Sequence, residues 1–424
     1  RWGIDHTLPR IDGRLRVSGE RVRGGARLWS AAERAPLDLV VDVARDGGDG
    51  RLWTGTESGD LPAWAPLLAG LGVEPLDGGG KLGVWADLED RRVVRLQLDA
   101  ALTALKLRRL GSAQAPVAFD RASFDAQWQL DARGWQVSVP HGEFVAGAST
   151  QRIEGFWLAG GEAFGVEAAR IDVGPLLALV ALSDRLPSGL AAWVAEARPQ
   201  GTVSDLDIPL AARDALAGKA TLAGVGFAPV GRRPGLKDLG GLVQFDLDGG
   251  ALTLDGVDVA LDWPTEFGPP LPLTLDGELA AWRDGDGWSI GTSGLDVGAD
   301  GIALHTRFAL GVQGDGTRPT LDLAADLAAF DVVAAKRYWL KTTVPPQVQQ
   351  WLNDALVAGT ARNGRVAMGG DLDHWPFRDG RGRFDARVQL DGVTLAFNED
   401  WPAATALSGE AVFDGPGLRL EGLK

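Results

Sequence analysis

A mainly β fold, laid out as one long antiparallel meander, is what this 424-residue chain predicts, and three observations carry the prediction. Apolar and polar residues alternate with period two along most of its length. Glycine reaches 59 residues and Asp outnumbers Glu 42 to 15, a bias toward turns, since Gly supplies positive φ and Asp bonds its own backbone. Helical periodicity surfaces in only three short places.

The strands come first. Val94, Leu96, Leu98 and Ala100 alternate with Val93, Arg95, Gln97 and Asp99, and Phe124, Ala126, Trp128 and Leu130 with Asp125, Gln127, Gln129 and Asp131. The middle of the chain repeats the pattern in Val243-Phe245-Leu247, Val257-Val259-Leu261, Leu271-Leu273-Leu275 and Ile302-Leu304-Phe308-Leu310. Near the end it returns in Phe384-Ala386-Val388-Leu390, Val393-Leu395-Phe397 and Leu418-Leu420. Five Asp-Gly signals are read as hairpin turns between these runs: Asp248-Gly249-Gly250, Asp255-Gly256, Asp284-Gly285-Asp286-Gly287, Asp391-Gly392 and Asp414-Gly415. About twenty strands with one apolar and one wet face result.

The helices follow. Asp60-Leu61-Pro62 opens a short one carrying Trp64, Leu67 and Leu68, which Gly70 closes. Pro175–Ala197 places Leu176, Leu179 and Val180, then Leu190, Trp193 and Val194, on single faces. Val332–Val357 is broken at Pro345-Pro346, after which Val348, Trp351, Leu352, Ala355 and Leu356 form a stripe and Gly359 stands in capping position. Each helix precedes a similar restart, at Lys81-Leu82-Gly83-Val84, Gly201-Thr202-Val203 and Asn363-Gly364-Arg365-Val366. Unequal intervals make this a loose structural repeat, with approximate units 1–80, 81–200, 201–362 and 363–424 of one continuous array.

Composition narrows the function. A net charge of −15 repels phosphate backbones and excludes nucleic acid as a partner. With no cysteine there is no thiol chemistry and no disulfide. No uncharged stretch exceeds the 13 residues of Leu61–Val73, too short for about 30 Å of hydrocarbon. The chain begins at Arg1 and ends just after a strand-like run, so it is expected to be a fragment.

Candidate sites are few. His6, His141, His305 and His374 are the only histidines, and neither Asp371/Asp373/His374 nor His141/Glu143 has metal-ligand spacing. Asp284–Gly287 and Asp46-Gly47-Gly48-Asp49-Gly50 lack the ligand order of a calcium loop and read as turns. No nucleophile elbow or phosphate loop occurs in a strand-to-helix context, so no enzyme and no metal are expected. Trp53, Trp85, Trp263, Trp282 and Trp288 fall in or beside strands, on a sugar-binding surface, at a groove rim or in ordinary packing. Three short helices cannot cover so long an apolar face. It must close into a barrel, stack as a sandwich, or remain a groove that something apolar fills.

A resemblance bears on that choice. Arg337-Tyr338-Trp339-Leu340, then Pro345-Pro346-Gln347-Val348-Gln349-Gln350-Trp351-Leu352, and Gly369-Gly370-Asp371-Leu372 with Trp375-Pro376-Phe377-Arg378-Asp379-Gly380 resemble the YhdP family of AsmA-like proteins. Asp400-Trp401-Pro402, Leu407-Ser408-Gly409 and Phe413-Asp414-Gly415 continue it, over residues 235–424 most clearly. These motifs are structural and carry no catalytic content. The resemblance implies an elongated, twisted, antiparallel repeating β-groove, taco-like, with short amphipathic helices at the repeat crossings. It implies a bridge-like lipid transfer protein of the periplasm, held to the inner membrane by an N-terminal helix absent from these residues. Such a protein conducts phospholipids between inner and outer membranes, which it reaches through regions outside this chain, and so supports the outer-membrane barrier. No cofactor is expected beyond a bound phospholipid or other acyl-chain ligand. The residues expected to line the groove are Val94, Leu96, Leu98, Phe124, Trp128, Leu130, Val243, Phe245, Leu247, Val257, Val259, Leu261, Ile302, Leu304, Phe308, Phe384, Val388, Leu390, Leu395 and Phe397. A scaffold or regulator of outer-membrane protein assembly and a carbohydrate-binding β-array are the alternatives.

Overall fold

The computed structural model describes residues 7–31, 34–68, 72–112, 116–182, 188–342, 346–398, 400–415 and 417–424. Two compact units divide the chain, Arg1–Ala220 and Thr221–Lys424.

Unit 1 is an antiparallel meander that starts with β1 (Arg10–Ser18), β2 (Arg21–Trp29), β3 (Leu37–Ala44) and β4 (Gly50–Asp60). It continues through β5 (Val73–Glu89), β6 (Arg92–Arg109), β7 (Val117–Asp131) and β8 (Gly134–Ala146). It ends on β9 (Ser149–Gly161), β10 (Phe164–Asp172) and β11 (Gln200–Ala211). Each strand hydrogen-bonds its neighbours in sequence, and among the described residues β1 pairs with β2 alone. A 3-10 turn at Leu61–Trp64 runs into α1 (Ala65–Leu68) between β4 and β5, and α2 (Val173–Ala181) and α3 (Ser188–Ala197) separate β10 from β11. The expected helices are thus present, the second as two segments; Gly70 lies outside the described residues.

The division between the units falls within β12 (Ala217–Phe227). Unit 2 then runs through β13 (Gly235–Asp246), β14 (Gly249–Asp262), β15 (Leu271–Asp284), β16 (Gly287–Ala299), β17 (Ile302–Val312) and β18 (Thr320–Leu327). After the two-residue β19 (Phe330–Asp331), a 3-10 turn at Ala334–Tyr338 and α4 (Pro346–Ala355) come β20 (Leu356–Asp371), β21 (Gly382–Leu395), β22 (Ala404–Asp414) and β23 (Gly417–Glu421). Pairing is antiparallel, β18 joining β20 across the helical insertion. The third helical region is smaller than expected. Leu356, Val357 and Gly359 belong to β20, where Gly359 has φ 116° and a Cβ would meet the Val393 backbone at 2.5 Å. Gly359 is therefore a close-approach glycine, not a helix cap.

Two of the five turn signals are corrected. Asp248-Gly249, Asp284–Gly287 and Asp414-Gly415 do join hairpins, but Asp255-Gly256 lies inside β14 and Asp391-Gly392 inside β21. At both places the register slips by one residue and the glycine is left-handed, φ 56° at Gly256 and 60° at Gly392. These are β-bulges, which demand the same positive φ as a tight turn. A left-handed residue with a register slip recurs at Ala104 and Asn363, with φ 51° and 52°. Where the step is apolar-x-x-apolar, as from Leu102 to Leu105 or Leu390 to Val393, it keeps both apolar side chains on one face. Bulges bend a strand and tighten its local twist.

Candidate functional site

Register assembles the apolar face of unit 1 into continuous rows. One row crosses all eleven strands: Leu15, Gly24, Val41, Leu52, Ala86, Leu96, Trp128, Val137, Leu158, Val166 and Ile208 are successive cross-strand partners. The row one residue away faces the other side and runs Arg14, Gly25, Val40, Trp53, Trp85, Gln97, Gln127, Ser138, Trp157, Glu167 and Asp207. Alternation thus separates the two faces, as a pleated sheet requires.

Among the described residues, the apolar face is covered by one buried cluster at one end. Leu102, Leu105, Phe119, Ala122, Phe144 and Ile153 form a buried core, with Leu61 before α1 and Leu179 of α2 packed into it. From Leu52 through Leu96 and Trp128 to Ile208, the long row is half-buried at every position. Half-exposure along so many strands means that no second sheet is stacked there. Together with the single pairing of β1, it removes the sandwich and the closed barrel for this unit.

Unit 2 repeats the scheme. Leu254, Gly277, Leu295, Thr306, Ala325, Val366, Ala386, Phe413 and Leu418 are successive partners from β14 to β23. Val332, Ala361 and Val393 form the buried end, against Phe330, Leu356, Val388, Leu390 and Leu407. Phe308, Leu323, Met368 and Phe384 make a neighbouring cross-strand row whose members are all half-buried. Trp375 packs edge-on against Phe384 at 5.5 Å, partly roofing this row.

Of the twenty residues expected to line a groove, sixteen are half-buried; Leu130, Leu247 and Phe397 are exposed, and Val259 is buried at 4% exposure. Leu96 and Trp128 are direct partners, as are the rows containing Val257 and Leu304 through Leu275 and Val297. Leu247 sits in the β13–β14 turn rather than on a strand. Phe397 lies past the end of β21, packed between Trp351 of α4 at 5.7 Å and Trp401 at 6.2 Å. Sequence reasoning missed Val137, Leu158, Val166, Ile208, Leu323 and Met368. Except for Leu323, their strands carry glycines or prolines, which interrupt the alternation that would have marked them.

The outer face accounts for the titratable groups. His305 Nδ1 stands 2.8 Å from Asp296 Oδ1 across the β16–β17 ladder. His374 Nδ1 stands 2.7 Å from Asp379 Oδ2 in the turn before β21. There the Arg381 backbone N–H, then His374 itself, hold the Asp379 carboxyl below the usual carboxylate range. His141 is exposed opposite Asp125 and Glu154, and His6 lies outside the described residues. Trp53 and Trp85 are also on this polar face, 6.4 Å apart. Their rings lie where a Cβ on Gly55 or Gly83 would fall, within 2.7 and 3.0 Å, so each indole covers the bare backbone of a glycine. Among the described residues no helix is long and apolar enough to cross a membrane, which leaves strand-built spans untouched.

What the geometry offers is a sheet surface with one half-open apolar face and a charged back; among the described residues no group of three or more His, Asp or Glu could hold a metal ion. Comparison with known proteins adds the following. A family model described as YhdP protein matches residues 14–423. The intermembrane phospholipid transporter YhdP of Escherichia coli strain K12 is 24% identical over 304 residues, which cover 68% of this chain and 24% of that protein. The chain therefore spans about a quarter of the length of that relative. No solved structure matches it significantly.

Proposed function

This chain belongs to the YhdP family, and we propose that it is a stretch of a non-enzymatic bridge that carries phospholipids between the inner and outer membranes of the periplasm, supporting the outer-membrane barrier. One observation carries the reading: the apolar row of unit 1 is half-buried rather than sealed at every position from Leu52 of β4 to Ile208 of β11. A fully buried Leu or Phe side chain gains about 1.5–3 kcal/mol, so each half-open position leaves about 1 kcal/mol to be gained by cover. Eight such positions from Leu52 to Ile208 together favour an acyl chain lying across the strands by several kcal/mol. The lining comprises the expected residues on the strands, Leu96, Trp128, Phe308 and Phe384 among them, with Val137, Leu158 and Met368 added by register.

The test is the content of the purified chain. Native mass spectrometry and organic extraction should recover phospholipid at one or more molecules per chain, released by denaturation. Protein that purifies free of lipid, and fails to take up a fluorescent phospholipid from vesicles, would sink the reading.

A further inference from the structure

Unit 2 holds a half-open cavity of about 200 Å3 lined by the β14–β15 connection and the helical insertion. Its walls include the side chains of Phe267, Leu271, Lys336, Arg337, Trp339 and Lys341. Three of the six are cations, in a chain of net charge −15, and no carboxylate is among the described residues that line it. Arg337 Nη1 donates to Asp300 Oδ2 at 2.6 Å, and Lys336 Nζ to the Asn353 carbonyl at 2.5 Å. Lys341 makes no ion pair with a described residue; its ammonium lies 3.2 Å from where a Cβ on Gly268 would stand. The segment bearing it is tied down by Glu266, buried at 4% exposure, whose carboxylate accepts from the Thr342 backbone N–H at 3.0 Å and from its hydroxyl.

Trp339 supplies the decisive detail. Its indole N–H is buried and has no acceptor among the described residues, and a buried donor left unpaired costs free energy until an acceptor arrives. The unpaired donor belongs to a residue that lines the cavity, beside Lys336 and Lys341, neither of which makes an ion pair with a described residue; a donor and two such cations favour an oxyanion. The volume is below the roughly 300–1,000 Å3 of sites that enclose a whole drug-sized ligand, so it takes a group rather than an entire molecule. The lining also includes the apolar Phe267, Pro269 and Leu271. Leu271 is the first residue of the β15 row Leu271, Leu273, Leu275, which belongs to the lipid-facing side of the sheet. A molecule with its anionic group here would therefore lay its hydrocarbon along that row.

We propose that this cavity is a phosphate subsite, in which Lys336, Lys341 and the Trp339 indole hold the phosphate of a glycerophospholipid headgroup whose chains enter the apolar face at Leu271. The assignment rests on the phospholipid reading above. It adds a place where headgroup chemistry is recognised, while the rest of the face sees only hydrocarbon.

The experiment follows the Trp339 indole resonance in 15N-labelled protein, identified by its loss in Trp339→Phe. Probes are short-chain phosphatidylglycerol, glycerol phosphate, inorganic phosphate and an alkyl maltoside, all at one ionic strength. Short-chain phosphatidylglycerol is expected to move the resonance, glycerol phosphate more weakly, and the maltoside not at all. In Lys336→Gln/Lys341→Gln, with an unchanged thermal midpoint, half-saturation by the lipid should rise at least about tenfold, since each charge-assisted bond is worth about that much. Maltoside uptake by the sheet should stay the same. No response to any phosphate, with the maltoside still bound, would overturn the subsite and leave the conduit standing. Inorganic phosphate binding as tightly as the lipid would overturn the headgroup assignment and make this a free-anion site.

Discussion

Ala104 stands at φ 51° in the middle of β6, between Leu102 and Leu105, both buried. A left-handed alanine costs about 1–2 kcal/mol through its Cβ, yet the position must be left-handed to return Leu105 to the face that Leu102 occupies. Ala104→Gly removes the clash at some cost in unfolded-chain entropy. We expect a stabilisation of up to about 1 kcal/mol, read as a raised midpoint in urea; an unchanged or lowered midpoint would contradict it. Charge acts more weakly at this scale. Lys106 at 3.0 Å and the Gly78 backbone N–H hold the Asp77 carboxyl below its ordinary range. A carboxylate lowered on folding stabilises above its unfolded pKa and loses that contribution as pH falls through the folded value. In Lys106→Gln the Asp77 titration, followed by carboxyl carbon shifts, should move up toward the ordinary value. Because the pair is solvent-exposed, neutral-pH stability should barely change.

At the scale of the strand, the bulges decide which residues face inward. Gly256 lies between Leu254 and Val257, so that Leu254 keeps Gly277 as partner while Val257 meets Leu275. Nothing lies within 4 Å of a Cβ placed on Gly256, hence Gly256→Ala should cost only the left-handed penalty of about 1 kcal/mol. Deleting Gly256 instead shifts the register by one residue and turns Val257, Val259 and Leu261 to the wet side. Exposing the buried Val259 and its two half-buried neighbours should cost several kcal/mol, seen as loss of amide protection in β14 and β15. Equal effects from substitution and deletion would mean that glycine itself, not the residue count, matters. This device also marks how far the fold could be read in advance. Period-two stretches such as Val94–Ala100 and Ile302–Leu310 became strands, and the Pro-opened helix before β5 formed where expected. Asp255-Gly256 and Asp391-Gly392 were misread because a hairpin turn and a bulge ask for the same left-handed glycine, and only pairing partners tell them apart. For the same reason Val137 and Ile208 escaped notice: bulges break the alternation just where the sheet bends.

At the scale of the molecule, each unit keeps a buried apolar cluster near its helices and half-buried apolar rows beyond, with the polar residues of each strand on the opposite face. That division makes a matched pair of substitutions decisive. Leu96 and Gln97 are adjacent on β6 and project to opposite faces, Leu96 opposite Ala86 and Trp128, Gln97 opposite Trp85 and Gln127. Leu96→Asp sets a carboxylate in the half-open row. Water reaches it while the row is empty, so the fold should survive with a loss of about 1–2 kcal/mol. An acyl chain lying over it must strip that water, and desolvating an unpaired charge costs several kcal/mol. Bound phospholipid should therefore fall several-fold in the purified chain, and the parent protein carrying the change should fail to restore an outer-membrane barrier at normal abundance. Gln97→Asp adds the same charge one residue away on the wet face and should leave both readouts untouched. If Leu96→Asp retained its lipid and its barrier function, chains would not travel over this row. If it unfolded outright, the row would be the sealed core of a closed structure, and the half-exposure from β4 to β11 would have to be filled by protein rather than by lipid.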